Sequence, residues 1–251
     1  MSGYHSFAGY YDILTSNIPY RKRGEYFHAL LQKYRVPGNI LLDLACGTGS
    51  LSEVFADLGY DVIGVDSSDE MLMEAMNKKY ESGKDILYLC QDMRELDLYG
   101  TIDCCVCALD SLNHVTDPED IRQIFQKVSL FLAPGGIFLF DVNTVYKHRN
   151  VLSDSTFVYD FDEVYCVWQN SPCRNETVEI TLDLFIPNED GSYDRETENF
   201  CERAYSHEEI LSCIDSTDLE LAACFDADTD NPPKDDSQRV IYVVRSTKAA
   251  E

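Results

Sequence analysis

Apolar residues recur along the first 141 positions in two alternating rhythms. Between about 22 and 34 they fall at Tyr26, Phe27, Leu30, Leu31 and Tyr34, the three- and four-residue spacing of one helix face. Pro37-Gly38 ends that run, and Ile40-Leu41-Leu42-Asp43-Leu44 follows as a short buried strand. Residues 50–58, with Leu51, Val54, Phe55 and Leu58 on one side, predict a second helix closed by Gly59. Val62-Ile63-Gly64-Val65 is another buried strand, and a helix starts after Ser67 or Ser68 with Met71, Leu72 and Ala75 on its apolar face. Strands over 86–90, 102–109 and 136–140, with a helix over 118–131, continue the alternation. This succession predicts βαβ units, a parallel sheet and right-handed crossovers.

After residue 141 the period drops to two. Val178, Ile180, Leu182, Leu184 and Ile186 alternate with polar residues, 161–169 and 193–205 are also extended, and Asn188-Glu189-Asp190-Gly191 is a hairpin signal. A three-stranded antiparallel insertion is expected, apolar on one face, which would most simply cover the mouth of the parallel sheet. Ser206-His207-Glu208-Glu209 has the form of a capping box and opens another helix. Strands over 219–225 and 240–245 flank an acidic loop with Pro232-Pro233 and are expected to pair as an antiparallel hairpin. The expected organisation is a helical segment over 1–36, an α/β core over 37–145 and 206–251, and the insertion over 146–205.

Charge narrows the partners. The 251 residues carry 45 acidic and 20 basic side chains, a formal net of −25. Nucleic-acid affinity is built from Lys and Arg neutralising phosphates, so this field excludes nucleic acid as an expected partner. The longest basic cluster, Arg21-Lys22-Arg23, is too small to reverse that. The acidity is uneven: residues 1–150 have 21 acids and 13 bases, net −8, while 151–251 have 24 and 7, net −17. No apolar run approaches the ~18 residues of a membrane span, and the first 30 residues contain no secretory apolar region. The ten cysteines read as free thiols of a reducing cytoplasm. Cys104, Cys105 and Cys107 crowd into one expected strand, not into the turn that zinc ligation needs, so no metal is expected.

The stretch Asp43-Leu44-Ala45-Cys46-Gly47-Thr48-Gly49 carries the chemistry. It ends the first parallel strand and opens a helix, and its small residues let the backbone turn sharply against a ligand. Asp66, 17 positions after Gly49 at the end of the next strand, can accept two hydrogen bonds from a ribose diol. A dinucleotide site wants a third glycine where this chain has Ser50-Leu51-Ser52. Asp43, moreover, suits an ammonium better than a phosphate. A nucleoside bearing an amino acid, S-adenosylmethionine, satisfies both.

Five stretches together resemble the class I S-adenosylmethionine-dependent methyltransferases: 41–49, 62–66, Cys90-Gln91-Asp92-Met93, 102–110 and Leu132-Ala133-Pro134-Gly135-Gly136. They stand in the family's order and spacing, with Ala45 in place of the commoner first glycine. The likeness is greatest to bacterial small-molecule members with a β-insertion after the fifth strand. It implies a Rossmann-like, seven-stranded, mostly parallel sheet with helices on both faces. It also implies that Asp43 and the backbone of Ala45, Cys46 and Gly47 hold the methionyl end, and Asp66 the ribose. Ser67 and Met71 would line the adenosine, with Gln91 beside them. Asp92 would accept from the adenine amino group, and Met93 would donate its backbone N–H to the ring. Leu109 and Asp110 would face the sulfonium side.

The Tyr10-Tyr11-Asp12 segment and Tyr20 resemble a lid over the cofactor in relatives, and Tyr20 or Arg23 could reach the methionyl carboxylate. Methyl transfer is an in-line displacement that asks the protein for alignment, dryness and sometimes a base. His114, just past the fourth strand, is the candidate base, with a solvent-touching loop histidine as the alternative. Tyr159, Phe161, Tyr165, Trp168 and Phe185 of the insertion would stand near the mouth or form the insertion's own core. A small acceptor, cationic or neutral, is expected. The rival readings are a non-catalytic S-adenosylmethionine-binding module and a nicotinamide-dependent oxidoreductase.

Overall fold

The computed structural model describes residues 7–227 and 229–249. Two helices come first, α1 (Phe7–Leu14) and α2 (Tyr20–Lys33). The expected alternation follows: β1 (Ile40–Leu44), α3 (Ser50–Asp57), β2 (Asp61–Asp66), α4 (Asp69–Ser82), β3 (Ile86–Cys90), β4 (Ile102–Cys107), α5 (Pro118–Phe131) and β5 (Leu132–Asn143). A short helix α6 (Val145–Lys147) leads into β6 (Thr156–Asp160), β7 (Tyr165–Asn170), β8 (Thr177–Pro187) and β9 (Tyr193–Arg203). The chain closes with α7 (His207–Asp215), β10 (Leu219–Asp226) and β11 (Arg239–Ser246).

Seven strands form one sheet in the order β10-β11-β5-β4-β1-β2-β3. β1 pairs in parallel with β2 and β4, as β2 does with β3 and β4 with β5. The terminal pair is antiparallel as expected, and β11 slots between β10 and β5, antiparallel to both. Both faces of this sheet are covered, which is why its central strands read as continuous apolar runs. Phe125 of α5 and Ile210 of α7 pack on one face with Phe138, Phe140 and Tyr242; Phe27 of α2 and Phe55 of α3 pack on the other with Leu41, Val62 and Ile241. Cys104 faces the second layer and Cys105 and Cys107 the first, so the pleat separates thiols that are close in sequence.

The helix starts follow local chemistry. Ser68, the second of the two candidates, caps α4 by accepting the Met71 N–H, and Asp117 caps α5 ahead of Pro118. At α7, Ser206 and Glu209 make both bonds of the capping box.

Two expectations change. β5 is longer than 136–140 and carries Asp141 and Asn143 past the end of β4, because β11 pairs with it along its full second half. The insertion has four antiparallel strands, in the order β6-β7-β8-β9, not three. Residues 161–164 make the turn between β6 and β7, where the Phe161 N–H donates to the Val164 carbonyl, so the run over 161–169 is part turn and part strand. The apolar face of this sheet, with Val178, Ile180, Leu182 and Leu184, closes on Phe7, Tyr10, Ile13 and Leu14 of α1. Helix α1 lies under the insertion, a cover the sequence pattern did not identify.

Candidate active site

Ala45, Gly47 and Gly49 all take positive φ values, +59°, +53° and +75°, and so wind the chain tightly between β1 and α3. A Cβ at Gly49 would sit 2.4 Å from the Tyr88 hydroxyl, which explains that glycine sterically as well as conformationally. The loop is tied to the end of β2: the Gly47 N–H donates to one Asp66 oxygen at 2.8 Å and the Ser68 N–H to the other at 2.9 Å. An ionised carboxylate has about four acceptor sites, so Asp66 keeps capacity for two more donors.

Asp66 borders a cavity of about 270 Å³. Ala45, Val65, Ser67, Gln91, Asp92 and Met93 form one part of its wall, and Arg94, His114, Val115, Thr116, Asp117 and Asp120 the rest. A narrower space of about 30 Å³ lies on the other side of Ala45, bordered by Asp43, Cys46, Gly47, Leu109, Tyr20 and Tyr11. Ala45 belongs to both walls, so the two spaces are successive compartments of one cleft at the carboxyl ends of β1, β2 and β4.

Asp43 is buried at the base of the smaller compartment. Burial pushes its carboxyl up, to about 7, against the hydrogen bond it accepts from Ser52 Oγ at 2.6 Å. Tyr20 sends its hydroxyl to Thr15 Oγ1 at 2.9 Å. Asp12 of α1 accepts from Thr48 Oγ1 at 2.7 Å and pairs with Lys78 Nζ at 2.5 Å, and Lys78 also donates to Thr48 and Ser50. The first helix is thereby latched to the loop. Tyr11, on its inner side, borders the smaller compartment, and burial drives its hydroxyl pKa well above the ordinary value.

Beyond β4 the backbone is strained. Leu109 and Asp110 have φ of +59° and +54°, and neither is glycine. Their N–H groups donate to Asp141 at 3.1 and 2.7 Å, and Asp141 also receives Arg23 Nη1 at 2.9 Å and Arg239 Nη1 at 2.7 Å. Asp110 itself pairs with Arg239 at 2.7 Å and accepts from Asn143 at 2.5 Å. Burial alone would push the Asp110 carboxyl up, but the charges of Arg239 and Lys147 outweigh it and hold it low. Arg23 therefore faces Asp141, and neither it nor Asp110 is in the wall of either compartment.

The remaining candidates are distributed along the cavity. Gln91 spends its amide on the Asp97 backbone, donating to its carbonyl and accepting its N–H, both at 3.0 Å. Both Asp92 oxygens are engaged by Arg94, which also reaches Asp120 at 2.9 Å, and Arg94 lowers the Asp92 pKa. Met71 gives its N–H to the α4 cap and is not in the cavity wall. His114 is half-exposed at the rim; burial against its neighbours lowers its pKa. Of the insertion's aromatics, Tyr159, Phe161 and Trp168 join the cluster over α1, whereas Tyr165 and Phe185 meet edge-on with centroids 6.3 Å apart near Arg195. Arg94, Thr116, Asp120 and Glu202 had no sequence signal of their own, and Thr48 and Ser50 were legible only as part of the loop after β1. Asp117 had one, as an Asp before Pro at a helix start.

A cleft of this build, an acid at the second strand end joined through a small-residue turn to a buried acid at the first, defines a class I methyltransferase site. A family model described as a methyltransferase domain matches residues 41–136. YqeM of Bacillus subtilis (strain 168), which carries a provisional methyltransferase name, is 35% identical over 248 residues, covering 98% of each chain. An S-adenosylmethionine-dependent methyltransferase from Clostridium acetobutylicum ATCC 824 is 31% identical with a TM-score of 0.87, over 95% of this chain and 96% of that one. CalS10, an amino pentose methyltransferase from Micromonospora echinaspora solved with S-adenosylmethionine, shares the fold at a TM-score of 0.75 and 17% identity, over 94% and 95%. The chain belongs to the S-adenosylmethionine-dependent methyltransferase family. S-adenosylmethionine is its cofactor.

Proposed function

We propose that the chain transfers a methyl group to a small, neutral or cationic molecule by in-line displacement. The observation that carries this reading is the two-compartment cleft joined at Ala45, with a diol-accepting acid in one part and a buried carboxyl in the other. Asp66 would hold the ribose, with Ser67, Gln91, Asp92 and Met93 around the base. Asp43, Tyr20 and the Ala45–Cys46–Gly47 backbone would hold the methionyl end, with Leu109 on the sulfonium side and Asp110 behind it, engaged by Arg239 and Asn143. Arg23 would act through Asp141, and Met71 through the start of α4. When bound, the cofactor supplies an electrophilic methyl on a cationic sulfur that leaves as a neutral thioether. The chain's share is alignment and the exclusion of water, which Tyr11 and the latched α1 serve.

The insertion supports a neutral or cationic acceptor. Directly opposed residues of an antiparallel pair share a face. Asp194, Glu196, Glu198, Phe200 and Glu202 oppose Ile186, Leu184, Leu182, Ile180 and Val178 of β8, so β9 turns carboxylates to the side that faces α1. A field of this sign favours cations and disfavours carboxylates and phosphates. In this reading 1–36 acts as lid, 37–145 with 206–251 as cofactor core, and 146–205 as acceptor side. No helix among the described residues is long and apolar enough to cross a membrane. All ten cysteines are free thiols, which fits a cytoplasmic protein.

The test is incubation with methyl-labelled S-adenosylmethionine and a fractionated metabolite extract, followed by mass identification. Label in a small basic or neutral compound is expected. Label found only in nucleic acid, protein or an anionic metabolite would sink the proposal, and binding without any transfer would favour the non-catalytic module.

A further inference from the structure

A set of buried titratable groups that the cofactor does not need lies beneath His114. His114 ends a 3-10 turn over Ser111–His114, and its ring packs on Phe200 of β9 with centroids 5.1 Å apart. Its Nε2 is 3.8 Å from Oε1 of Glu202, and the other face of the residue borders the 270 Å³ cavity. Glu202 is buried, and its second oxygen is 3.5 Å from Asn143 Nδ2 and 3.8 Å from Nε2 of the buried His148. The neighbours on each side are stitched together. Asn113, adjacent to His114, donates to the carbonyl of Arg203, adjacent to Glu202, at 2.9 Å and exchanges bonds with the Asn143 backbone at 2.9 and 3.1 Å. The two side chains are thus held near each other by a bond between their sequence neighbours, from the Asn113 amide to the Arg203 carbonyl.

A buried carboxyl is costly unless it has work or a partner. Among the described residues the cations within ion-pair distance of Glu202 are two imidazoles, neither of which is a fixed charge. The more distant charges are Asp110, Lys147 and Arg239 around Glu202, Asp110 and Asp66 around His114, and Lys147, Asp110 and Glu176 around His148. Burial pushes the Glu202 carboxyl up, to about 8, and the His114 imidazole down from its ordinary value, so the two groups compete for one proton.

We propose that Glu202 is the positioning residue for His114, and that the pair receives the proton of an amine acceptor at the rim of the cofactor cavity. This rests on the methyltransferase reading above. An amine drawn by the acidic face of β9 arrives as an ammonium, with no lone pair to attack. Its proton passes to the His114 ring and on toward Glu202, the stronger base of the pair. The freed nitrogen lone pair then bonds to the methyl carbon as the carbon–sulfur bond breaks, its electron pair staying on sulfur. Strand β9 of the insertion thereby supplies part of the proton-handling apparatus of the core.

The test is a histidine side-chain NMR titration of the full chain, with His114 assigned through His114→Gln. In the wild type His114 should titrate in two steps, because two coupled groups lose protons in turn. Glu202→Gln should collapse this to one step, and Glu202→Asp should restore part of it, which a merely structural role would not do. Once the acceptor is in hand, Glu202→Gln should lower kcat by roughly ten- to a hundredfold with little change in KM. The methyl should be found on nitrogen. A single His114 step that ignores Glu202→Gln overturns the proposal, as does a methyl on any other atom. Calorimetry with S-adenosylmethionine separates the two levels: no binding to wild type defeats the methyltransferase reading, whereas binding with an uncoupled His114 defeats this inference alone. Should Glu202→Gln fail to fold, Glu202→Asp carries the comparison: an altered two-step curve supports the pair, and one identical to wild type counts against it.

Discussion

Asp141 accepts the backbone N–H of Asp110 at 2.7 Å on the same oxygen that receives Arg239. One carboxylate therefore braces two consecutive residues in the left-handed region and pairs with two arginines, sharing Arg239 with Asp110. Asp141→Ala should remove all four contacts and leave Arg239 with Asp110 as its remaining carboxylate. Breaking such a pair costs about 3–5 kcal/mol. At roughly 2–4 °C per kcal/mol for a chain of this size, the melting midpoint should fall by about 6–20 °C. A change within 2 °C, measured by circular dichroism, would show that the loop is braced elsewhere.

Asp66→Ala should weaken S-adenosylmethionine binding by at least about tenfold, since hydrogen bonds to a charged group contribute about 1.5–3 kcal/mol. Asp66→Asn, which can still accept the Gly47 N–H, should retain more of the fold and lose most of the affinity. Calorimetry with both variants separates loop support from ligand recognition. Equal affinity in all three proteins would refute the ribose role.

The Asp43 carboxyl sits at about 7 in the folded chain, above its unfolded value of about 4. Between those values the folded chain holds a proton that the unfolded chain has released. Stability contributed at this group therefore falls as pH rises from about 4 to 7 and levels off above. Denaturant titrations should show that slope in the wild type and a flatter one in Asp43→Asn. A bound ammonium reverses the preference by favouring the carboxylate. Cofactor affinity should rise toward pH 7, by no more than about tenfold per pH unit, and then plateau.

Asp12 ties α1 to Thr48 and Lys78 in a partly exposed setting. Its removal should cost little stability, about 1 kcal/mol or less. Asp12→Asn should instead loosen the cover of the smaller compartment, raising the cofactor dissociation rate by about fivefold in stopped-flow displacement. An unchanged rate would mean that α1 stays closed without the latch.

The parallel half of the fold was legible because a strand buried on both faces writes a continuous apolar run, and β1 and β3 match their expected limits residue for residue. The caps at Ser68 and Ser206 were legible for the same reason: their chemistry is local. What escaped was non-local. β6 is only five residues long, and although Thr156-Phe157-Val158-Tyr159 is β-prone, so short a run carries no clear apolar–polar alternation of its own. The partner of the insertion's apolar face, α1, lies far away in sequence. Arg94 closing on Asp92, and Glu202 reaching His114, are contacts between residues whose types alone signal a solvated surface. Site residues on the loop after β1 were readable through glycine spacing, whereas those supplied by β9 depended on strand register.

Helix α1 precedes β6 by about 140 positions, yet its apolar side chains are completed only by the sheet that β6 begins. In a chain made from its amino end, these eight residues emerge long before the strands that shelter them. Closing so long a loop is slow and comes after local structure has formed. Maturation should therefore finish at this junction, with the parallel sheet already in place and the first-made helix among the last to dock.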